Sequence, residues 1–257
     1  MRVPGGGLRA IVYAALLLAA GLARAHAQGG PPMITDDPGT PGDRHWEFNL
    51  VSTSVRTPGV TELGLPLLDM SYGIGDRLQL NYQGSWNVLR TDGQPVVSGM
   101  SDSQLAVKWR FYDAGEQGWQ ASTFPRITFL TPGTHSDRRG LASAHPEFLL
   151  PFEVRKDLGP FSIDADFGHI FSRTRDEEGW IGGVCIGRQI SKGVELDGEV
   201  HVIATESADR SEWIGNLGAR VDLSPQATLM LAIGRDLRNT MGPRASVLTY
   251  AGIQLRR

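Results

Sequence analysis

The residues best placed to do chemistry are charged, and they recur at every second position. Glu153 and Arg155, Asp164 and Asp166, and Glu195, Asp197, Glu199 and His201 each skip one residue, as do Lys108 and Arg110. Arg126 and Arg220 sit in the same phase of their own runs. A spacing of two places each set on one face of a strand. A wall of such groups can select ions or orient polar solutes in a lumen. It can equally pair across neighbouring strands and fill a narrow interior, since acidic and basic members fall on successive runs. On sequence, both remain open.

Other candidates have plainer readings. His201 continues the acidic row and could ligate a metal or gate a proton, but a polar wall residue is the simpler assignment. Asp36 and Asp37 could bind calcium or plug a lumen; a Pro/Gly-rich turn is simpler. His135 and His145 lie near Arg138 and Arg139 and could meet a surface ligand or lipopolysaccharide, or simply be solvated. Cys185 alternates with Gly183 and Gly187 and reads as a small packed residue. As the single cysteine it excludes a disulfide framework and a Cys-rich zinc module. His169 and Ser172 could suggest a hydrolase pair, but three residues apart on a strand they point to opposite faces. The chain has no G-x-S-x-G, H-E-x-x-H, P-loop or C-x-x-C. We therefore expect no catalytic residue, no cofactor and no bound metal.

The elements that must position these charges are strands. Twelve are expected, near 45–55, 61–72, 77–87, 103–112, 118–130, 147–156, 160–171, 179–190, 193–205, 212–223, 227–235 and 245–256. Between the charged positions runs an uncharged face, for example Leu105, Val107, Trp109 and Phe111, or Leu196, Gly198, Val200 and Val202. Tight turns (73–76, 113–117, 157–159, 191–192, 224–226) alternate with longer connections (88–102, 131–146, 172–178, 206–211, 236–244). That asymmetry belongs to a transmembrane antiparallel up-and-down β-barrel, an all-β fold with its apolar face to lipid and its charges in the lumen. Trp46, Trp109 and Trp119 lie towards the tight-turn end and Trp86, Trp180 and Trp213 towards the other, as an aromatic girdle at each interface requires. A soluble sandwich would show the same alternation with its apolar face inward. Pro66, Pro125 and Pro151 fall inside strands and suit neither arrangement.

The N-terminus reads as an export signal. Arg2 and Arg9 precede an apolar stretch from Ala10 to Leu22, and Ala25-His26-Ala27 follows as a cleavage site. An N-terminal membrane anchor is the alternative, but the stretch is short for a spanning helix. The expected organisation is a cleaved signal peptide over 1–27, an extended periplasmic segment over 28–44 and the barrel over 45–257. A formal net charge of −3 over 257 residues argues against a nucleic-acid partner. The 32 glycines fit many turns and small strand positions.

Several stretches together resemble the bacterial outer-membrane barrels labelled as transporters of the "MetA-pathway of phenol degradation". They are Pro31-Pro32-Met33-Ile34-Thr35-Asp36-Asp37-Pro38 with His45-Trp46-Glu47, and Val107-Lys108-Trp109-Arg110-Phe111-Tyr112-Asp113. Leu150-Pro151-Phe152-Glu153-Val154 with Gly159-Pro160 and Gly234-Arg235-Asp236-Leu237 complete them. The resemblance spans nearly the whole mature chain. It implies a Gram-negative outer-membrane barrel and, through the family label alone, an aromatic solute. Tyr250-Ala251-Gly252-Ile253-Gln254-Leu255 also resembles the final-strand signal read by the barrel-assembly machinery, although Arg256-Arg257 replaces the usual terminal aromatic. The leading expectation is a passive channel for small solutes, in contact with outer-membrane lipid and lipopolysaccharide. The alternatives are a closed structural barrel binding through its external loops 88–102 and 131–146, and a soluble periplasmic sandwich.

Overall fold

Alternation of apolar and polar residues over runs of ten or more leaves the backbone one way to satisfy its hydrogen bonds, which is lateral pairing. The computed structural model describes residues 30–115, 118–174 and 177–257. The expected signal peptide over 1–27 lies outside the described residues. Thirteen strands follow in order: β1 (Trp46–Thr57), β2 (Val60–Ile74), β3 (Leu78–Thr91), β4 (Val97–Asp113), β5 (Trp119–Thr123), β6 (Arg126–Leu130) and β7 (Glu147–Leu158), then β8 (Phe161–Phe171), β9 (Gly179–Ser191), β10 (Val194–Thr205), β11 (Ser211–Ser224), β12 (Ala227–Asn239) and β13 (Val247–Arg256). Successive crossings pair antiparallel, and β1 pairs β13 from Glu47↔Arg256 to Arg56↔Val247. That last ladder closes the sheet and removes its free edges. The sandwich alternative is thereby overturned.

β5 and β6 are halves of one crossing. Each lies between β4 and β7, so the barrel has the twelve crossings expected. The interruption is Phe124-Pro125. Thr123 pairs Phe152 and Arg126 pairs Leu149, so Pro151 stands beside the same gap. Two prolines that cannot donate to a ladder therefore share one break. The Thr123 hydroxyl donates to the Pro151 carbonyl at 2.7 Å, and Val107 N–H reaches the Pro125 carbonyl at 3.1 Å. Pro66 is accommodated by a register shift in β2 between Gly64 and Leu67.

One connection differs from expectation. The loop placed at 88–102 is short, because β3 runs on to Thr91 and β4 starts at Val97. Val88, Leu89 and Val97 continue the ladder opposite β2 and each other. Likewise β12 extends to Asn239. The longest connection is 131–146, carrying a single 3-10 turn at Asp137–Arg139. Both ends of the barrel meet at the tight-turn rim, where Trp46 and Arg257 exchange backbone hydrogen bonds.

Burial is inverted relative to a water-soluble protein. Leu217 is 68% exposed and Phe167 58%, while Glu153 is 0% and Asp164 1% exposed. The apolar face points outward and needs a hydrocarbon solvent; the charged face points into the barrel. Replacing Leu217 with Arg should cost about 2–4 kcal/mol of stability in lipid if it lies near the midplane. Urea unfolding in vesicles measures this, and an unchanged midpoint would argue against a lipid-facing Leu217.

Candidate functional site

Every second residue of β4 to β11 projects inward, and the charges found by spacing converge there. Arg155 Nη1 lies 3.0 Å from Asp164 Oδ1, and its Nη2 lies 2.8 Å from Asp157. Lys108 Nζ lies 3.5 Å from Glu153 Oε2, which also accepts from the Ser122 hydroxyl at 2.6 Å. Asn216 Nδ2 donates to Glu199 at 2.6 Å. The Glu195 and Asp197 carboxylates and the Ser162 hydroxyl crowd over Gly187, where a Cβ would come within 2.6, 2.9 and 2.6 Å of them. His201 is buried, and its Nε2 lies 4.0 Å from Asp166 Oδ1. Arg110 differs from the others. It reaches the Asp76 carbonyl at 2.6 Å and Asp113 at 3.4 Å, which puts it at the tight-turn rim rather than on the inner wall.

Pairing of this kind matters more than its net energy suggests. Removing one partner of a buried pair strands the other. Arg155→Leu leaves both oxygens of Asp164 without their donor and should destabilise the barrel by about 3–5 kcal/mol. The double variant with Asp164→Leu should recover most of the loss in urea titration; equal losses for single and double would contradict the pairing.

The wall has a second occupant that spacing did not reveal. Residues 30–44, expected to extend on the periplasmic side, instead enter the lumen. Ile34 N–H donates to Glu199 Oε2 at 3.1 Å, and Thr35 N–H to its other oxygen. Asp36 N–H reaches Asp166 at 3.3 Å. Lys108 Nζ binds Asp36 at 2.8 Å and also the Asp37 carbonyl. Arg126 stands 3.9 Å from Asp36, and Arg220 donates to the Pro31 carbonyl. At the rim Asp43 accepts from Gly75 N–H at 2.8 Å and Thr40 donates to the Asp76 carbonyl at 2.9 Å. The prolines at 31, 32, 38 and 41 bring no N–H needing a partner, which suits a strap that cannot join the sheet. Burial opposes ionisation of Asp36, but Lys108 and Arg126 more than offset this and hold its carboxyl below the ordinary value.

Two glycines make room for the strap. A Cβ on Gly183 would lie 2.2 Å from the Thr35 hydroxyl, and one on Gly218 would lie 2.0 Å from Met33 Cε. The strap packs against the charged wall and leaves a cavity of about 370 Å³ on the opposite side. That side is lined by Asn49, Asp69, Gln79, Asn81, Gln83, Gln104 and Gln254. Gln79, Asn81 and Gln83 alternate along β3, which puts their amides on one face.

The remaining candidates lie apart. His169 faces outward between Phe171 and Trp180, with ring centroids 4.4 Å from each, and its Nε2 meets Glu206 at 2.6 Å. The Ser172 hydroxyl is turned to Glu177 at 2.8 Å. Cys185 is buried. Among the described residues no group of three or more His, Cys, Asp or Glu is arranged to hold a metal. Trp46, Trp86, Trp109, Trp119 and Trp213 are exposed on the outer face; Trp180 is half-buried, stacked on Phe167 at 5.3 Å.

Comparison with known proteins places this architecture. No family model matches the chain, and no curated protein matches it. The chain is similar to the COG4313 outer membrane channel from Pseudomonas putida F1, at 15% identity and TM-score 0.69, over 86% of this chain and 98% of that one. It is also similar to the NanC porin (10% identity, TM-score 0.58, 82% and 99% covered) and to the KdgM porin in complex with disordered oligogalacturonate (10%, 0.57, 80% and 98%). At these identities the likeness is one of fold, that of outer-membrane β-barrels. The specific label suggested by the sequence resemblance is not among them.

Proposed function

We propose that the chain is a passive outer-membrane channel for small solutes, narrowed from inside by its own residues 30–42. One observation carries this reading: a closed barrel with a predominantly apolar outer face surrounds a polar interior in which the strap leaves a cavity of about 370 Å³. The exposed tryptophans fit the two membrane interfaces, and the fold shared with the Pseudomonas putida channel and the two porins supports the same assignment. Lipid and lipopolysaccharide are then the surroundings of the barrel, and the barrel-assembly machinery is the partner that inserts it. The cavity lining mixes amides and charged groups with Phe124 and Tyr250 and does not single out an aromatic solute.

Purified protein in planar bilayers should give small stepwise conductances. Charge reversal at Arg126, which borders the cavity, should shift the ion preference. Silent bilayers with folded, heat-modifiable protein would favour the second reading, a closed structural barrel. The ion pairs between strap and wall are what speak for that alternative.

A further inference from the structure

The two sides of the lumen differ in a way that bears on what passes. On the charged side the groups are committed to one another or to the strap. On the open side the lining includes six neutral amides. Resting on the channel reading, we propose that this cavity takes an uncharged, hydroxyl-bearing solute of about monosaccharide size, with Gln83 and Gln104 as its specificity-determining contacts.

The argument begins with the charges that border the cavity. Lys108 is held by Asp36, the Asp37 carbonyl and Glu153, and Arg126 stands over Asp36. Arg220 donates to the Pro31 carbonyl. Asp69 accepts from Asn49 at 3.0 Å and from Asn81 at 2.5 Å. Glu47 lies 3.7 Å from Arg256. An ion entering the cavity would give up hydration and meet counter-charges already engaged, which is unfavourable in a narrow, weakly screened space.

The amides offer the opposite. Gln83 and Gln104 are register partners on β3 and β4, so their side chains project side by side. Both line the cavity, and among the described residues neither side chain makes a hydrogen bond to the protein. Asn49 is 2% exposed and its Oδ1 is a buried acceptor without a partner. Each amide carries two N–H donors and an acceptor oxygen. Gln79, Asn81 and Gln254 are engaged within the wall, but Gln83, Gln104 and the Asn49 Oδ1 together present donors and acceptors in mixed order, which matches hydroxyl groups, themselves both donor and acceptor, and rewards no net charge. The volume is at the low end of the roughly 300–1,000 Å³ typical of small-molecule sites.

Three hexose derivatives of similar size separate the possibilities: glucose, anionic gluconate and cationic glucosamine. Their radiolabelled efflux would be followed from proteoliposomes holding the full chain, alongside KCl conductance. Glucose should leave several-fold faster than either charged analogue. The double variant Gln83→Leu with Gln104→Leu should lose that preference several-fold, read as the ratio of glucose to gluconate efflux from the same proteoliposomes. Gln83→Glu with Gln104→Glu keeps the side-chain shape and guards against a folding defect; it should favour glucosamine instead. Charged analogues leaving as fast as glucose, or unaltered glucose efflux in both double variants, would overturn the solute assignment and leave the channel standing. Absence of both KCl conductance and efflux would overturn the channel reading, and this inference with it.

Discussion

Deleting residues 30–42 should raise single-channel conductance several-fold. The strap makes none of the strand ladders that close the barrel, so its loss leaves β1 paired to β2 and β13. What it does occupy is one side of a twelve-crossing lumen, a size between the filled eight-stranded barrels and the open porins. Its removal frees the Glu199 and Asp166 carboxylates that accept from residues 34 to 36. It also releases Lys108 from Asp36 and leaves it with Glu153 alone, so the open pore should gain ion selectivity along with conductance. Bilayer recordings of the two proteins make the comparison. Equal conductance would mean that the strap does not limit passage.

The second large effect is expected at Lys108. Its side chain is 3% exposed, and the ammonium sits between Asp36 at 2.8 Å and Glu153 at 3.5 Å. Lys108→Met would keep the side-chain volume and leave two carboxylates facing one another without their cation. Breaking a buried pair in this way costs about 3–5 kcal/mol. Two outcomes can absorb that cost, and they are measurable separately. Release of the strap appears as raised, noisier conductance; loss of barrel stability appears in urea titration. Asp36→Asn with Lys108→Met should restore part of the stability. Gly183→Val makes the complementary test by shape, because its side chain would crowd Thr35 first and Asp166 and His201 next. It should raise conductance with every charge in place.

Much of the fold was legible because the alternation is strict. In β8, Ile163-Asp164-Ala165-Asp166-Phe167 assigns each side chain to a face with no ambiguity of register. The prolines were legible as a problem and not as its solution. Only the pairing shows that Pro125 and Pro151 share one break. The misplaced loop at 88–102 arose because Thr91-Asp92-Gly93 supplies a turn signal, while the strands on each side run closer to it than their patterns suggest. Asp36 and Asp37 offered a lumen plug as one alternative, but the path of residues 30–44 was opaque for a physical reason. A Pro- and Gly-rich segment has no periodicity, and its partners Lys108, Asp166, Glu199 and Arg220 lie far along the chain. The charges of the wall were found, but half of what they bind was the chain's own N-terminal segment. Gly183 and Gly218 read as small strand positions, and their true use, as the floor beneath Thr35 and Met33, needed the strap in place.

The central claim is that the strap lies in the lumen and sets what passes. A disulfide between Thr35→Cys and Gly183→Cys, in a Cys185→Ser background, addresses it directly, since the Gly183 Cβ position is 2.2 Å from the Thr35 hydroxyl. Single channels would be recorded under oxidising conditions and again after reductant is added to the same bilayer. We expect a low, quiet conductance while oxidised and a larger, fluctuating one once the tether is cut. Failure to form the cross-link in folded protein, or a conductance indifferent to reductant, would contradict the claim.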